Sequence, residues 1–233
     1  MWIVWVIAYF IVGNDFLLPS FWETFKAMGR YLIDAGFWRN FADTLLRTLW
    51  AFLVSLVLGA GLALLASAFK GVRGFLAPII SVLRTVPTMA VILLLLVWTS
   101  HATAPVVVSV LVLLPAFFSA TLASIDEVTQ EYGELVRAFH VDRKRRIFKM
   151  YLPLAAPAVL GQAGSVLSMG LKITVSGEVL AQTFHSIGYS MQEARMLPDM
   201  PALVALTLLC VLLGFLLEGG CFLLKKLIVR WRK

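Results

Sequence analysis

Residues that could do covalent or metal chemistry are few in this chain and stand far apart. The three histidines, His101, His140 and His185, are scattered, and no Gly-x4-Gly-Lys-Ser/Thr loop is present to cradle nucleotide phosphates. Cys210 and Cys221 share one apolar segment without metal-ligand spacing, so they read as packing residues. This pattern points away from an enzyme, a metal site or a cofactor, and away from ATP hydrolysis by the chain itself. What remains is charge in apolar company. In the segment 157–181, Gln162, Ser165, Ser168, Lys172 and Ser176 fall within about 120° of one helical face at about 100° per residue. A lysine there is costly unless it meets a cavity or a partner. The stripe is therefore either polar glue between helices or the lining of a pathway. Glu178 projects onto a different face of an ideal helix, so it would reach Lys172 only if the helix broke, at Gly177.

A second charge of this kind is Arg84, three residues before Pro87, about 10 Å inside the apolar segment 77–99 at ~1.5 Å per residue. It either snorkels to the nearer membrane surface or faces the bundle interior beside a proline-freed carbonyl. The third feature is the interval from Glu134 to Pro153, the most polar long stretch of the sequence. Arg143, Lys144, Arg145, Arg146 and Lys149 fall within seven positions there. Leu135, Val136 and Phe139, then Ile147, Met150 and Tyr151, are spaced so that each set makes one helical face. Asp142 is placed to cap a second short helix that Pro153 would stop. Two short amphipathic helices with a bend near 140–142 imply a docking surface rather than a bare basic loop.

The interval resembles the cytoplasmic loop of ABC-transporter permeases, whose pattern runs Glu-Ala-Ala, three residues, Gly, nine residues, Ile-x-Leu-Pro. Glu134 matches the Glu, and Leu152-Pro153 closes the motif at the family spacing. Leu135-Val136 replace the two alanines, Met150 the Ile, and His140 the Gly; because Gly reaches positive φ freely and His only occasionally, the bend is expected to differ. The stretches 17–20 (Leu-Leu-Pro-Ser), 83–87 (Leu-Arg-Thr-Val-Pro) and 186–189 (Ser-Ile-Gly-Tyr) are similar to those of nitrate/sulfonate/taurine-type importer permeases, in the same order. The resemblance implies a permease subunit, a homodimer, coupled through Glu134, Arg137, Phe139, His140, Asp142, Arg143 and Pro153 to a separate ATP-binding ABC subunit. It also implies an extracytoplasmic solute-binding protein that delivers a small anionic or zwitterionic solute. The rival is a membrane scaffold that transports nothing.

The elements that must position these residues follow from composition. Of 233 residues, 61% are hydrophobic and 14% charged, with a mean hydropathy of +0.91. A soluble domain averages about 45–50% apolar and about 25% charged. The chain is read as one all-α, polytopic domain, residues 1–233, embedded in membrane lipid at the cell (inner) membrane. About six spans are expected: 2–18 (short), 41–69, 77–99, 104–124, 157–181 and 202–224. Ser20–Asn40 reads as an amphipathic helix, with Ser20 and Glu23 as a capping box, that either lies in the outer interface or packs on the protein as an ordinary loop helix. Ser55, Gly59, Ala63 and Ser67 form a small-residue stripe for close helix approach. The net charge of +7 reflects orientation, not nucleic acid. The turn 70–74, the 134–153 loop and the tail 225–233 are basic and cytoplasmic by the positive-inside rule. Lys26, Arg30 and Arg39 run against that assignment. If Arg84, Pro87, Gln162, Ser165, Lys172, Ser176 and Glu178 line a pathway, they do so at membrane depth.

Overall fold

The computed structural model describes residues 19–139 and 142–228, with residues 5, 9, 11 and 13 alone upstream. The expected first span, 2–18, therefore lies almost wholly outside the described residues, as do His140 and the last five residues. Among the described residues every regular element is a helix. Four helices are individually long and apolar enough to cross a membrane, and a bent pair would make a fifth.

Helix α1 spans Phe21–Ile33 and α2 spans Ala35–Ala68. Both start where the sequence supplies a cap. The Ser20 hydroxyl accepts from the Glu23 N–H at 3.3 Å. The Asp34 carboxylate accepts from Gly36 and Phe37 at 3.1 Å each, satisfying donors that a helix start leaves open. The amphipathic helix expected over 20–40 is thus two helices. The small-residue stripe lies along α2 where α5 (Ala104–Ala138) packs on it. An added Cβ at Gly59 would come within 2.8 Å of Phe117 Cβ and 2.9 Å of the Leu114 carbonyl, so only glycine admits that approach. Ser55 Oγ, fully buried, reaches the Val110 carbonyl at 3.3 Å.

The expected straight span 77–99 is instead α3 (Lys70–Thr85) and α4 (Thr88–Trp98), bent by 99°. Pro87 explains the break. Its ring disfavours the α region for Val86, which is extended at φ −67°, ψ 128°. The basic turn expected over 70–74 is also helical; only Phe69 separates α2 from α3. At the other end α5 runs unbroken to Ala138, so Glu134 lies on the last turns of a long helix rather than on a short one of its own.

Pro153 does not stop a helix either. The short helix α6 (Arg143–Arg146) passes through a wider turn over Ile147–Tyr151 directly into α7 (Leu152–Ala181). In that turn the Leu152 N–H bonds to the Ile147 carbonyl, five residues back. The shift changes the hydrogen-bond phase just before a residue with no N–H to give. Beyond α7, the segment between the spans expected at 157–181 and 202–224 holds α8 (Ile187–Met196), and α9 (Met200–Ile228) follows. The core is the packing of α2, α5 and α7. Phe52 meets Phe117 edge-on at 5.2 Å, and Leu113, Val166 and Leu167 close around them.

Candidate functional site

Helix α7 packs against α2, α4, α5, α8 and α9, yet one of its faces is left open. Gln162, Ser165, Met169, Lys172 and Ser176 are exposed along it, at the three- and four-residue steps that keep side chains in line. Lys172 stands about 14 Å from the C-terminal end of α7 at ~1.5 Å per residue, deep in a helix long and apolar enough to span a membrane. On each side of this face lies a recess whose mainly apolar lining carries a few polar side chains. Toward α9 lies a groove of about 450 Å³ whose lining includes Lys172, Ser176, Thr207 and Glu218. Ser165 Oγ donates to Glu218 Oε1 at 3.2 Å, and Ser168 turns away to the Gly214 carbonyl.

On the other side, a cleft of about 340 Å³ is lined by Arg84, Thr88, Pro115 and Met169. Here the Arg84 guanidinium donates to Ser119 Oγ and reaches the Pro115 carbonyl at 3.5 Å. The break between α3 and α4 places Val86 and Thr88 on the cleft wall, with Pro87 exposed between them. The fold therefore brings Arg84, far away in sequence, beside the open face of α7 that carries Ser165 and Lys172.

Glu178 is not among them, and its reading as pathway lining is revised. It is fully buried on the opposite side of an unbroken α7. Its Oε1 accepts from Arg47 Nη1 at 2.9 Å. Its Oε2 accepts from Thr44 Oγ1 at 2.9 Å and from the Gly188 N–H at 3.4 Å. Arg47 also reaches the His185 carbonyl, and Thr44 Oγ1 accepts from the Ile187 N–H. The carboxylate thus ties α2, α7 and the start of α8 together near the C-terminal end of α7. The signal that would have found Arg47 is the one that found Arg84 and Lys172: a charge inside an apolar segment.

The turn joining α5 to α7 presents the other expected surface. Tyr132, Leu135, Val136, Phe139, Met150 and Leu154 line an apolar hollow of about 280 Å³. Phe139 and Phe148 stand out at 77% and 67% exposure. Tyr151 holds the turn to the bundle: its ring is buried, its hydroxyl accepts from Thr129 Oγ1 at 3.0 Å, and the Arg146 guanidinium covers it at 5.6 Å. Glu134 is exposed, and Asp142 occupies the position before α6, its carbonyl accepting from the Arg146 N–H at 2.9 Å. The side chains of Arg137 and Arg143 lie outside the described part. Close by, Arg73 of α3 grips Asp126 of α5 through two hydrogen bonds of 2.9 and 2.7 Å.

A bundle in which several helices are long and apolar enough to cross a membrane has the architecture of a multi-pass membrane protein. Residues 55–228 match the family described as binding-protein-dependent transport system inner membrane component, and the chain belongs to that family. It is 29% identical over 153 residues to the glycine betaine transport system permease protein OpuAB of Bacillus subtilis, covering 65% of this chain and 54% of that protein. It is 25% identical over 200 residues to the taurine transport system permease protein TauC of Escherichia coli, covering 85% and 72% of the two chains. Among solved structures, it superposes on a chain of the inward-facing MetNI methionine ABC transporter with a TM-score of 0.73 at 15% identity. That match covers 82% of this chain and 95% of the other. The shared architecture is the fold of ABC-transporter membrane subunits, located in the cell membrane.

Proposed function

We propose that the chain is the membrane subunit of an ATP-driven importer, forming part of the solute path and taking its energy from a separate ATP-binding subunit. The observation that carries this reading is the open polar face of α7. Exposing a lysine to hydrocarbon at mid-membrane costs about 2.5–3.5 kcal/mol even on permissive scales, so this face meets water, solute or a second copy of the chain. A homodimer that brings two such faces together would enclose the path, with Arg84, Gln162, Ser165, Lys172 and Ser176 along it. The Phe139 turn supplies the docking knob for the ATPase, with Glu134, Asp142 and the basic residues around it.

A binding protein on the outer side would deliver a small anionic or zwitterionic solute. Relatives named for taurine and glycine betaine support that class, as do Lys172 and Glu218 in one groove. Uptake by proteoliposomes holding the chain, its ATPase and its binding protein tests the proposal. Solute accumulation that needs ATP supports it. Stable association with the ATPase and no uptake would make the chain a scaffold.

A further inference from the structure

The three cations that defy the positive-inside rule are not used by the transport reading. Two of them, Lys26 and Arg30, sit on α1. The packed face of this helix carries Thr24 and Ala27, both fully buried, against the start of α9. Away from that face, at the three- and four-residue steps of one side that runs to the edge of α9, lie Trp22, Lys26, Gly29, Arg30 and Ile33. Trp22 and Ile33 are 66% and 88% exposed. Gly29 has nothing within 4 Å of where a Cβ would stand, which leaves a notch between the cations. The notch belongs to a groove of about 590 Å³ lined by Glu23, Lys26, Gly29, Arg30, Ile33 and Pro201. Lys26 lies over the Trp22 ring at 5.7 Å. Among the described residues, neither Lys26 nor Arg30 has a carboxylate within salt-bridge distance.

A face with apolar anchors at both ends and two cations between them is ill suited to bulk water. It suits the headgroup layer, where aromatic and aliphatic side chains enter the acyl boundary and cations meet phosphate. The third charge narrows the ligand. Glu23 offers a carboxylate on the same groove, opposite in sign to Lys26 and Arg30. We propose that α1 holds one outer-leaflet phospholipid whose headgroup carries both a phosphate and a primary ammonium. Lys26 and Arg30 take the phosphate, Glu23 takes the ammonium, and Trp22 and Ile33 flank the glycerol and first acyl carbons. An acidic protein surface would match the cations, but not the two exposed apolar anchors or the carboxylate.

The test is native mass spectrometry of the full transporter complex, after exchange into nanodiscs of phosphatidylethanolamine, phosphatidylglycerol or phosphatidylcholine. The wild type should retain one phosphatidylethanolamine in preference to both others. K26A/R30A should retain it about twenty-fivefold less, at about fivefold per cation. E23Q should keep the lipid but lose the preference over phosphatidylglycerol. All three positions are exposed, so the variants should fold as the wild type does. Equal retention by K26A/R30A would overturn the proposal, and an unchanged preference in E23Q would overturn the ammonium assignment. Weakened capture of the binding protein with lipid retention unchanged would also overturn it, by making this face a protein-docking surface.

Discussion

The ion pair between Arg47 and Glu178 makes a prediction in which the two partners behave differently. The Glu178 side chain is completely enclosed, whereas that of Arg47 is 18% exposed. Replacing Arg47 with methionine keeps most of the aliphatic packing but strands a buried carboxylate, with only Thr44 and Gly188 left to donate to it. Breaking a buried pair in this way costs about 3–5 kcal/mol. Glu178→Gln is milder. Its amide oxygen can still accept from Thr44 and Gly188, and the freed guanidinium can turn to water while keeping the His185 carbonyl. The loss is then that of hydrogen bonds to a charged group, about 1.5–3 kcal/mol. The double variant should resemble Glu178→Gln alone, because no stranded charge remains. Thermal unfolding of the purified protein reads this directly. At roughly 2–4 °C per kcal/mol for a chain of this size, Arg47→Met should lower the apparent Tm by about 6–20 °C. Adding Glu178→Gln should recover part of that loss. An Arg47→Met variant within about 2 °C of wild type, or a double variant equal to the sum of the singles, would refute the buried-charge argument.

Three further outcomes follow from the same geometry. Gly188→Ala should destabilise the junction of α7 and α8 comparably, because an added Cβ would lie 2.4 Å from Glu178 Cβ and 2.7 Å from the Val179 nitrogen; a melt as high as wild type would show that the turn can move aside. Phe139→Ala should weaken ATPase co-purification about a hundredfold, since covering a large aromatic in the complex is worth about 3 kcal/mol, with the level of folded protein unchanged. Single cysteines near Lys70 and Arg145 should label from the cytoplasmic side and one near Glu193 from the outside, and labelling of Arg145 and Glu193 from one side would break the proposed topology.

The helical class and most span positions were legible because runs of about twenty apolar residues leave few alternatives. The open stripe on α7 was legible too, since Gln162, Ser165, Lys172 and Ser176 fall in line on any regular helix. Continuity was harder. Nothing local shows that α5 runs on to Ala138, or that a five-residue turn lets the chain pass Pro153 without stopping. The break at Val86–Pro87 did carry a local signal, the restriction a proline places on its predecessor, but the apolar run on both sides masked it. Glu178 was assigned to the wrong surroundings for a different reason. Its partners Thr44 and Arg47 are more than 130 residues away in sequence, and burial of a charge depends on such partners rather than on the helix that carries it.

The most direct measurement of the central claim is solute uptake by proteoliposomes containing the Lys172→Met chain with its ATPase and binding protein, scored against ATPase co-purification from the same preparation. The account predicts that assembly is retained while ATP-driven uptake falls at least tenfold, because the variant removes a charge from the path and leaves the docking turn intact. Uptake equal to wild type by a fully assembled Lys172→Met complex would contradict it, and would make the open face of α7 a seam between helices rather than a route for solute.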